Sequence, residues 1–185
     1  MATYKYDRLG RSIGEFIDNI GKEVVLDSGG RIIEEKRFFD TEGSDVNPGV
    51  ISNYYNYDGL GRLSGETDAE GNTMSYERDA LGNIVSITDP LGSRVENSYD
   101  SLGRVWRVKE IGYDSIMRQK LFNYNIEDQI TQITDPLGRT TTYTYDPYGR
   151  QETVLADGQI VQNHYDKKEN RCKNRQLSFG RLGAG

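Results

Sequence analysis

Aspartate recurs along this sequence at a nearly constant interval, and such a row of carboxylates could bind calcium. Asp58, Asp79 and Asp100 stand 21 residues apart, and the same spacing separates Asn125 from Asp146. Calcium binds clusters of carboxylate and carbonyl oxygens. An aspartate that begins a turn instead accepts backbone N–H groups, which explains each position without an ion. We therefore interpret these aspartates as turn residues and expect neither a metal nor a cofactor.

Arginine often follows four residues after the aspartate, just beyond a glycine. Such arginines could pair with aspartates across units or stack on tyrosine rings, and a row of them could also bind anions. We favour a structural role, in which the recurring arginines link one unit to the next. Arg11 and Arg31 end weaker copies of this Asp-x-x-Gly-Arg motif. The clearest turn residues are Asp58, Gly61, Arg62, Asp79, Gly82, Asp100, Gly103, Arg104, Asp146, Gly149 and Arg150.

Histidine and cysteine, which often act as base or nucleophile, each occur once in this sequence. His164 is the single histidine, and no second candidate base or nucleophile lies near it in the chain. We expect it to face solvent on a strand. Cys172 is the single cysteine, so an internal disulfide is impossible, and we interpret it as an incidental thiol. We therefore expect no catalytic residues and no enzymatic activity.

The aromatic residues offer a second kind of chemistry, because rings can stack on sugars or on a protein partner. The chain has 13 tyrosines against 5 phenylalanines and 1 tryptophan, a composition that suits half-buried sheet surfaces. The candidate binding residues are Tyr76, Tyr99, Trp106, Tyr124, Tyr143 and Tyr145.

The elements that position these residues follow from a second turn signal about ten residues after the first. Asp89-Pro90-Leu91-Gly92 and Asp135-Pro136-Leu137-Gly138 are examples. Two turns in about 21 residues leave room for two short strands and none for a helix. The first turn motif of the unit occurs eight times, with its aspartate, or asparagine at 125, at residues 7, 27, 58, 79, 100, 125, 146 and 166. Such a period is typical of a repeat architecture, here with close to fourteen antiparallel strands.

The side-chain pattern of the strands is regular in one half of each unit and irregular in the other. Tyr143 and Tyr145 alternate with threonines, as expected for a strand with two different faces. The other strand spaces its apolar residues by three, as in Ile84 and Ile87. Either both faces of that strand are partly covered or a β-bulge intervenes, and the sequence leaves both open.

Composition limits the classes of partner. Residues 1–166 carry 17 Lys and Arg against 28 Asp and Glu, and this acidic balance argues against a nucleic-acid surface. The last nineteen residues are basic, with 6 Lys and Arg against 1 Glu. No apolar run reaches the ~18 residues of a membrane helix, and no signal-peptide core begins the chain. If the chain is secreted or displayed at a cell surface, we expect this to occur as part of a larger protein.

Residues 138–150 are close to the consensus of the Rhs repeat, also called the YD repeat, and the sequence as a whole resembles that family. The resemblance covers residues 54–166 well and 1–40 loosely. It implies a continuous β-strip that spirals into a shell around a toxic domain, as in bacterial polymorphic toxins and insecticidal toxin complexes, or cell-surface adhesion, as in teneurins. Carbohydrate binding is also attributed to such repeats. The family's self-cleavage motif ends in Leu where this chain has Arg150, so we expect no self-cleavage.

The sequence therefore predicts an all-β fold, an antiparallel β-hairpin repeat strip that forms part of a shell or solenoid. We expect degenerate repeats in residues 1–53 with an inserted loop near 41–53, regular repeats in 54–166, and a basic, disordered tail in 167–185. The expected function is a non-enzymatic structural segment of a shell that encloses a toxin or presents a surface. Its partners would be the remainder of that shell or its cargo. The alternative is a stand-alone carbohydrate- or protein-binding module that uses the Tyr-rich face. An uncapped strip would also be prone to edge-to-edge self-association.

Overall fold

The computed structural model describes residues 1–18, 20–40, 49–165 and 172–178, the last of these as backbone. It divides into two compact units, Met1–Arg94 and Val95–Gly185. The described residues form strands, turns and no helix, so the predicted all-β fold is confirmed. Accordingly, none of the described residues belongs to a helix long and apolar enough to cross a membrane.

The first unit is an antiparallel meander in which each strand pairs with the next along the chain. Its strands are β1 (Ala2–Tyr6), β2 (Ser12–Ile17), β3 (Ile20–Leu26), β4 (Ile32–Phe39), β5 (Gly49–Tyr57), β6 (Leu63–Thr67), β7 (Thr73–Arg78) and β8 (Ile84–Thr88).

The second unit repeats this arrangement, and from β10 onward each strand again pairs with its successor. Its strands are β9 (Arg94–Tyr99), β10 (Val105–Ile111), β11 (Met117–Tyr124), β12 (Ile130–Thr134), β13 (Thr140–Tyr145), β14 (Gln151–Ala156), β15 (Gln159–Tyr165) and β16 (Cys172–Ser178). The described residues thus hold sixteen strands where the sequence predicts about fourteen, because β1 precedes the first repeated phrase and β16 follows the last.

A β-bulge recurs just after the first turn of the repeat. Tyr57 pairs with Leu63 and Asn56 with Gly65, so Ser64 is an extra residue in β6. The same register shift occurs between β1 and β2, β3 and β4, β7 and β8, β11 and β12, and β13 and β14. An extra residue returns apolar side chains spaced by three to one face of the sheet. The bulge is therefore the correct choice of the two that the sequence leaves open.

Each unit is a single layer of strands with two unlike faces. In the second unit one face carries Phe122, Tyr124, Tyr143 and Tyr145, and we call it the tyrosine face. The opposite face is polar: Asn123 donates to Gln132 at 2.8 Å, and the hydroxyls of Thr144 and Thr153 lie 2.7 Å apart. No hydrophobic side chain among the described residues is fully buried, so neither unit has a conventional core.

Small residues occupy the few buried positions. Gly14, Gly65 and Ser86 stand at the same place in three repeats, seven residues after the turn aspartate, and all three are buried. Ser86 is only 4% exposed. A Cβ at Gly14 would lie 3.0 Å from the ring of Phe16 and 3.4 Å from Cβ of Lys5, so larger neighbouring side chains take up the space there.

Two segments differ from the predicted division of the chain. Residues 49–53 belong to β5, whereas the sequence places them in an inserted loop; residues 41–48 lie outside the described residues. In the basic tail, Cys172–Ser178 form β16, which pairs with β15 from Tyr165 to Gln159, where the sequence predicts disorder. Residues 167–171 and 179–185 lie outside the described part of the chain.

Candidate functional site

Every clear repeat begins with the same five-residue turn, in which one aspartate satisfies most of the polar groups. Asp58 Oδ1 accepts the backbone N–H groups of Leu60 and Arg62, both at 2.9 Å. Asp58 Oδ2 accepts Arg62 Nε at 2.7 Å. The backbone closes the turn with bonds from Asp58 N to Arg62 O and from Gly61 N to Asp58 O, both 2.9 Å. The aspartate thus organises the turn, and both of its carboxylate oxygens accept hydrogen bonds.

The second turn of the repeat has the same structure as the first. Asp135 Oδ1 accepts the N–H groups of Leu137 and Arg139, and Asp135 Oδ2 accepts Arg139 Nε at 2.6 Å. Where arginine is absent, an amide serves: Asn72 Nδ2 donates to Asp68 Oδ2 at 2.9 Å. The same turn motif therefore connects the strands at both of their ends.

The arginines of the first turns also reach into the next repeat. Arg104 pairs with Asp100 at 2.7 Å and stacks on the ring of Tyr124, 4.7 Å from its centroid. Its Nη1 donates to the carbonyl of Asn125 at 2.9 Å and to the carboxylate of Asp128 at 2.8 Å. One guanidinium thus joins two consecutive turns through four contacts.

The same stacking recurs along the chain. Arg31 stacks on Tyr57 at 4.9 Å and Arg150 on Tyr165 at 4.4 Å, each tyrosine being the one that precedes the next turn aspartate. The expected stacking is therefore present. The expected pairing across repeat units is observed for Arg104, which pairs with Asp128 of the next turn. The other pairs of this kind lie within one turn, between each arginine and the aspartate four residues before it.

The tyrosine hydroxyls complete the connection between repeats. Tyr124 donates to the carbonyl of Val105 and Tyr145 to that of Ile130, both at 2.7 Å. Each acceptor is the residue just after the preceding turn. Tyr57 and Tyr165 donate to Ile32 and Gln151 in the same way. We call the repeated set of Asp–Arg pair, stacked tyrosine ring and hydroxyl bond the turn ladder.

The repeat at Asn125 uses uncharged side chains for the bond within the turn and for the bond to the next turn. Asn125 Nδ2 donates to Gln129 Oε1 at 2.8 Å, and Gln129 Nε2 reaches the carbonyl of Gly149 at 2.8 Å. Asp128 takes the place of the turn glycine with a positive φ of 63°. Asn125 is one of the eight repeat positions that the sequence indicates, and its i, i+4 spacing to Gln129 is the signal that could have identified Gln129 as its partner.

The structure brings some of the candidate binding aromatics together and leaves others apart. Tyr124, Tyr143 and Tyr145 lie on one face of the second unit, whereas Tyr76 belongs to the first. Tyr76 donates to Glu66 at 2.6 Å, and this bond to a carboxylate raises the pKa of its hydroxyl. Tyr99 ends β9, and Trp106 lies on β10 beside the guanidinium of Arg107 at 5.2 Å.

The residues considered for catalysis or metal binding are dispersed. His164 is exposed on β15, as predicted, and Cys172 begins β16. Within residues 1–18, 20–40 and 49–165, no group of three His, Cys, Asp or Glu side chains is placed to hold a metal ion.

Comparison with known proteins identifies a family whose repeats match the segments that contain these turns. The family model described as RHS Repeat matches residues 57–94, 78–111 and 124–160. The chain belongs to the Rhs repeat family. The matched segments contain the turns at Asp58, Asp79, Asp100, Asn125 and Asp146, so the five-residue turn and its ladder are the physical content of the Rhs repeat in this chain. No curated protein matches the sequence.

Two solved structures resemble the Rhs-repeat chain in fold. The crystal structure of TcdB2-TccC3-Cdc42 superposes with a TM-score of 0.54 at 12% identity, over 95% of this chain and 13% of that one. The crystal structure of TcdB2-TccC3-TEV gives 0.51 at 14% identity, over 95% and 12%. At such identities the likeness shows the fold alone, and this chain spans only about an eighth of their length.

The Rhs turns make a prediction about acid. The pKa of Asp58 is lowered, chiefly because its carboxylate accepts hydrogen bonds from the backbone N–H and the guanidinium of Arg62. The pKa of Asp79 is lowered chiefly by the hydrogen bond from the side-chain amide of Asn83. A carboxylate with a lower pKa in the folded chain stabilises it above the unfolded pKa of about 3.9, and this contribution is lost as pH falls through the folded pKa. We expect the urea midpoint to be level between about pH 7 and 5 and to drop below about pH 4. The aspartates with lowered pKa are Asp7, Asp27, Asp58, Asp68, Asp79, Asp100, Asp135 and Asp146.

Asp79→Asn provides the control for this prediction. Asn125 shows that asparagine can accept the same two turn N–H groups, at 3.0 and 2.9 Å. The variant should fold and lose a smaller part of its stability between about pH 5 and 3 than the natural chain does. An acid-induced loss of the same size in both proteins would contradict the assignment.

Proposed function

We propose that this chain is a non-enzymatic structural segment of a larger Rhs shell, a stretch of wall that encloses a toxin or presents a surface. The observation that carries the proposal is the turn ladder. Its contacts join neighbouring repeats within a unit, as Arg104 does with Tyr124 and Asn125. A structure stabilised by neighbour contacts gains from every added repeat.

The lack of a conventional core supports the same role. With no fully buried hydrophobic side chain among the described residues, each unit depends on strand pairing and on the ladder. Among the described residues of the first unit, β1 pairs with β2 alone, and the other side of its backbone has no strand beside it. Such an edge is the natural place for a further strand. The 13% coverage of a longer chain of like fold is consistent with a segment of this kind.

The alternative, a binding module that uses the tyrosine face for a glycan or a protein, finds less support. The hydroxyls of Tyr124 and Tyr145 donate to backbone carbonyls, and that of Tyr76 donates to Glu66. Half of the candidate aromatic residues thus use their polar groups inside the sheet. Sugar recognition by tyrosine relies on such groups as well as on the ring.

Extension of the repeat array tests the proposal. Residues 1–165 followed by residues 58–185 form a junction, Tyr165-Asp58, that recreates the Tyr-Asp step in register. We expect the extended chain to melt roughly 5 °C or more above the 185-residue chain in circular dichroism, because added repeats complete further ladder contacts.

A shifted junction is the matched control. Residues 1–164 followed by 58–185 differ by one residue, which moves side chains to the wrong face of the joining strand. This chain should show little or no gain. Equal melting temperatures for the in-register chain and the 185-residue chain would mean that added repeats contribute no stabilising ladder contacts. That result would contradict the proposal that the chain is a segment of a shell wall.

A further inference from the structure

The sequence contains two Asp-Gly pairs, and the fold places them in different kinds of turn. Asp58-Gly59 begins a five-residue first turn, whereas Asp157-Gly158 is the whole of the two-residue turn between β14 and β15. Because glycine has no Cβ, its backbone nitrogen is open to approach by the preceding side chain in both pairs. The two pairs are therefore chemically alike and differ only in their surroundings.

An Asp-Gly pair can rearrange its own backbone. The glycine nitrogen attacks Cγ of the aspartate with its electron pair, the N–Cγ bond forms and the Cγ–OH bond breaks, so that the hydroxyl and the proton of the nitrogen leave as water. A second water opens the resulting succinimide ring. Attack at Cγ restores aspartate, whereas attack at the α-carbonyl carbon breaks the original peptide bond. The chain then runs through the side chain as isoaspartate, with its mass unchanged and with no co-reactant except water.

The first turn opposes this reaction at Asp58. Its Oδ1 accepts the backbone N–H groups of Leu60 and Arg62, both at 2.9 Å, and its Oδ2 accepts Arg62 Nε at 2.7 Å. Cγ can present itself to the nitrogen of Gly59 only if the carboxylate rotates, and rotation breaks these bonds. The bonds from the backbone and the guanidinium of Arg62 also lower the pKa of Asp58, which makes the protonated form that loses water scarcer.

The carboxylate of Asp157 is not held in this way. Asp157 and Gly158 are both exposed. In the part of the chain that the structure describes, no group donates a hydrogen bond to this carboxylate, and the Gly158 N–H donates to none of the turn carbonyls. The charge of Asp157 acts on Arg139, but that guanidinium is bonded to Asp135 at 2.6 Å. The side chain of Asp157 is therefore free to turn toward the nitrogen of Gly158.

We infer that Asp157-Gly158 is a site of spontaneous isoaspartate formation in the folded chain, and that the five-residue turn protects Asp58-Gly59 from the same reaction. The backbone at Asp157 adds a driving force, because its φ of 49° is a left-handed conformation that costs an L-residue free energy. Rearrangement releases this residue from that conformation.

The product changes the hairpin in which it forms. Isoaspartate inserts the Cβ of Asp157 into the main chain of a turn that has only two residues, next to the paired residues Ala156 and Gln159. One extra backbone atom disturbs this pairing, since the length of the loop fixes the register of a hairpin. The same hairpin carries, at its other end, the ladder bond from Tyr165 to the carbonyl of Gln151. The modified chain should therefore be less stable than the fresh chain.

Ageing of the full chain at neutral pH over several weeks, followed by peptide mapping, tests the inference. Trypsin separates the two sites, because residues 38–62 carry Asp58 and residues 151–167 carry Asp157. Isoaspartate in each peptide is measured by methylation with protein isoaspartate methyltransferase and located by electron-transfer fragmentation. We expect it to accumulate at Asp157 at least ~10-fold faster than at Asp58.

The chain unfolded in urea is the matched control, because it contains the same two dipeptides without their turns. There the two sites should rearrange at similar rates. In the folded chain, Arg62→Ala should raise the rate at Asp58 and leave the rate at Asp157 unchanged. A folded chain in which Asp157 rearranges no faster than Asp58, or a preference of the same size in urea, would overturn the inference.

The effect on stability has its own control. Glutamate at position 157 would have to close a six-membered ring, so the Asp157→Glu chain should keep its melting temperature on ageing while the natural chain loses part of its own. An equal loss in both chains would contradict the predicted effect of the rearranged turn. These measurements follow the chemistry of one turn, so they are independent of the melting test of the extended array.

Discussion

Arg104→Ala is expected to lower the melting temperature by roughly 5–10 °C, whereas Arg139→Ala should lower it by only roughly 1–3 °C. Both arginines pair with the aspartate of their own turn, at 2.7 and 2.6 Å. Arg104 also stacks on Tyr124 and bonds to Asn125 and Asp128 in the next turn. Its loss removes the connection between two repeats, and it leaves the carboxylate of Asp128 without that partner.

The comparison isolates the contact between repeats from the turn itself. The hydrogen bonds described for Arg139 stay within its own turn, to Asp135. Thermal unfolding of both variants by circular dichroism, at one salt concentration, is the measurement. Equal losses would mean that the Asp–Arg pair within each turn dominates stability and that the ladder adds little.

A lysine at position 104 separates charge from geometry. Lysine retains the positive charge but lacks the planar group that stacks on a ring while it donates in several directions. Arg104→Lys should therefore recover only a minor part of the loss in melting temperature. If lysine restored stability fully, simple charge attraction to Asp100 and Asp128 would suffice.

The period of the aspartates was enough to predict the fold, because turn chemistry is local. Asp58, Gly61 and Arg62 form their turn with neighbours no more than four residues away, so their spacing carries the information. Alternation of Tyr143 and Tyr145 likewise predicted their shared face correctly. Both features depend on short-range geometry that a sequence displays directly.

The contacts between repeats were harder to predict, since they join residues about 20 positions apart. The reach of Arg104 to Asp128 requires the strand register, and that register depends on the bulge after each first turn. Ile84 and Ile87 were compatible with either a bulge or a two-sided strand until their partners were known. The strand Cys172–Ser178 follows no complete copy of the turn motif and has one large apolar residue, Leu177, so its sequence carries no strand signal.

Gly61→Ala is expected to destabilise the chain by about 2–3 kcal/mol, against about 1 kcal/mol for Gly71→Ala. Both glycines have a positive φ, 79° and 86°. A Cβ at Gly71 would meet nothing within 4 Å, whereas at Gly61 it would lie 2.6 Å from Nη1 of Arg31. Alanine at 61 therefore adds displacement of the guanidinium to the backbone strain that both variants share.

A double-mutant cycle shows whether that difference belongs to the ladder. Arg31 is held by Asp27 at 2.6 Å and stacks on Tyr57, so it cannot move away from Gly61 without weakening those contacts. In an Arg31→Ala background, Gly61→Ala should cost no more than Gly71→Ala, as measured by urea unfolding. If Gly61→Ala kept its larger cost in that background, the backbone of the Gly61 turn would be the cause. If the cost fell to that of Gly71→Ala, the close approach of one repeat's arginine to the next repeat's glycine would be a direct energetic link between Rhs repeats.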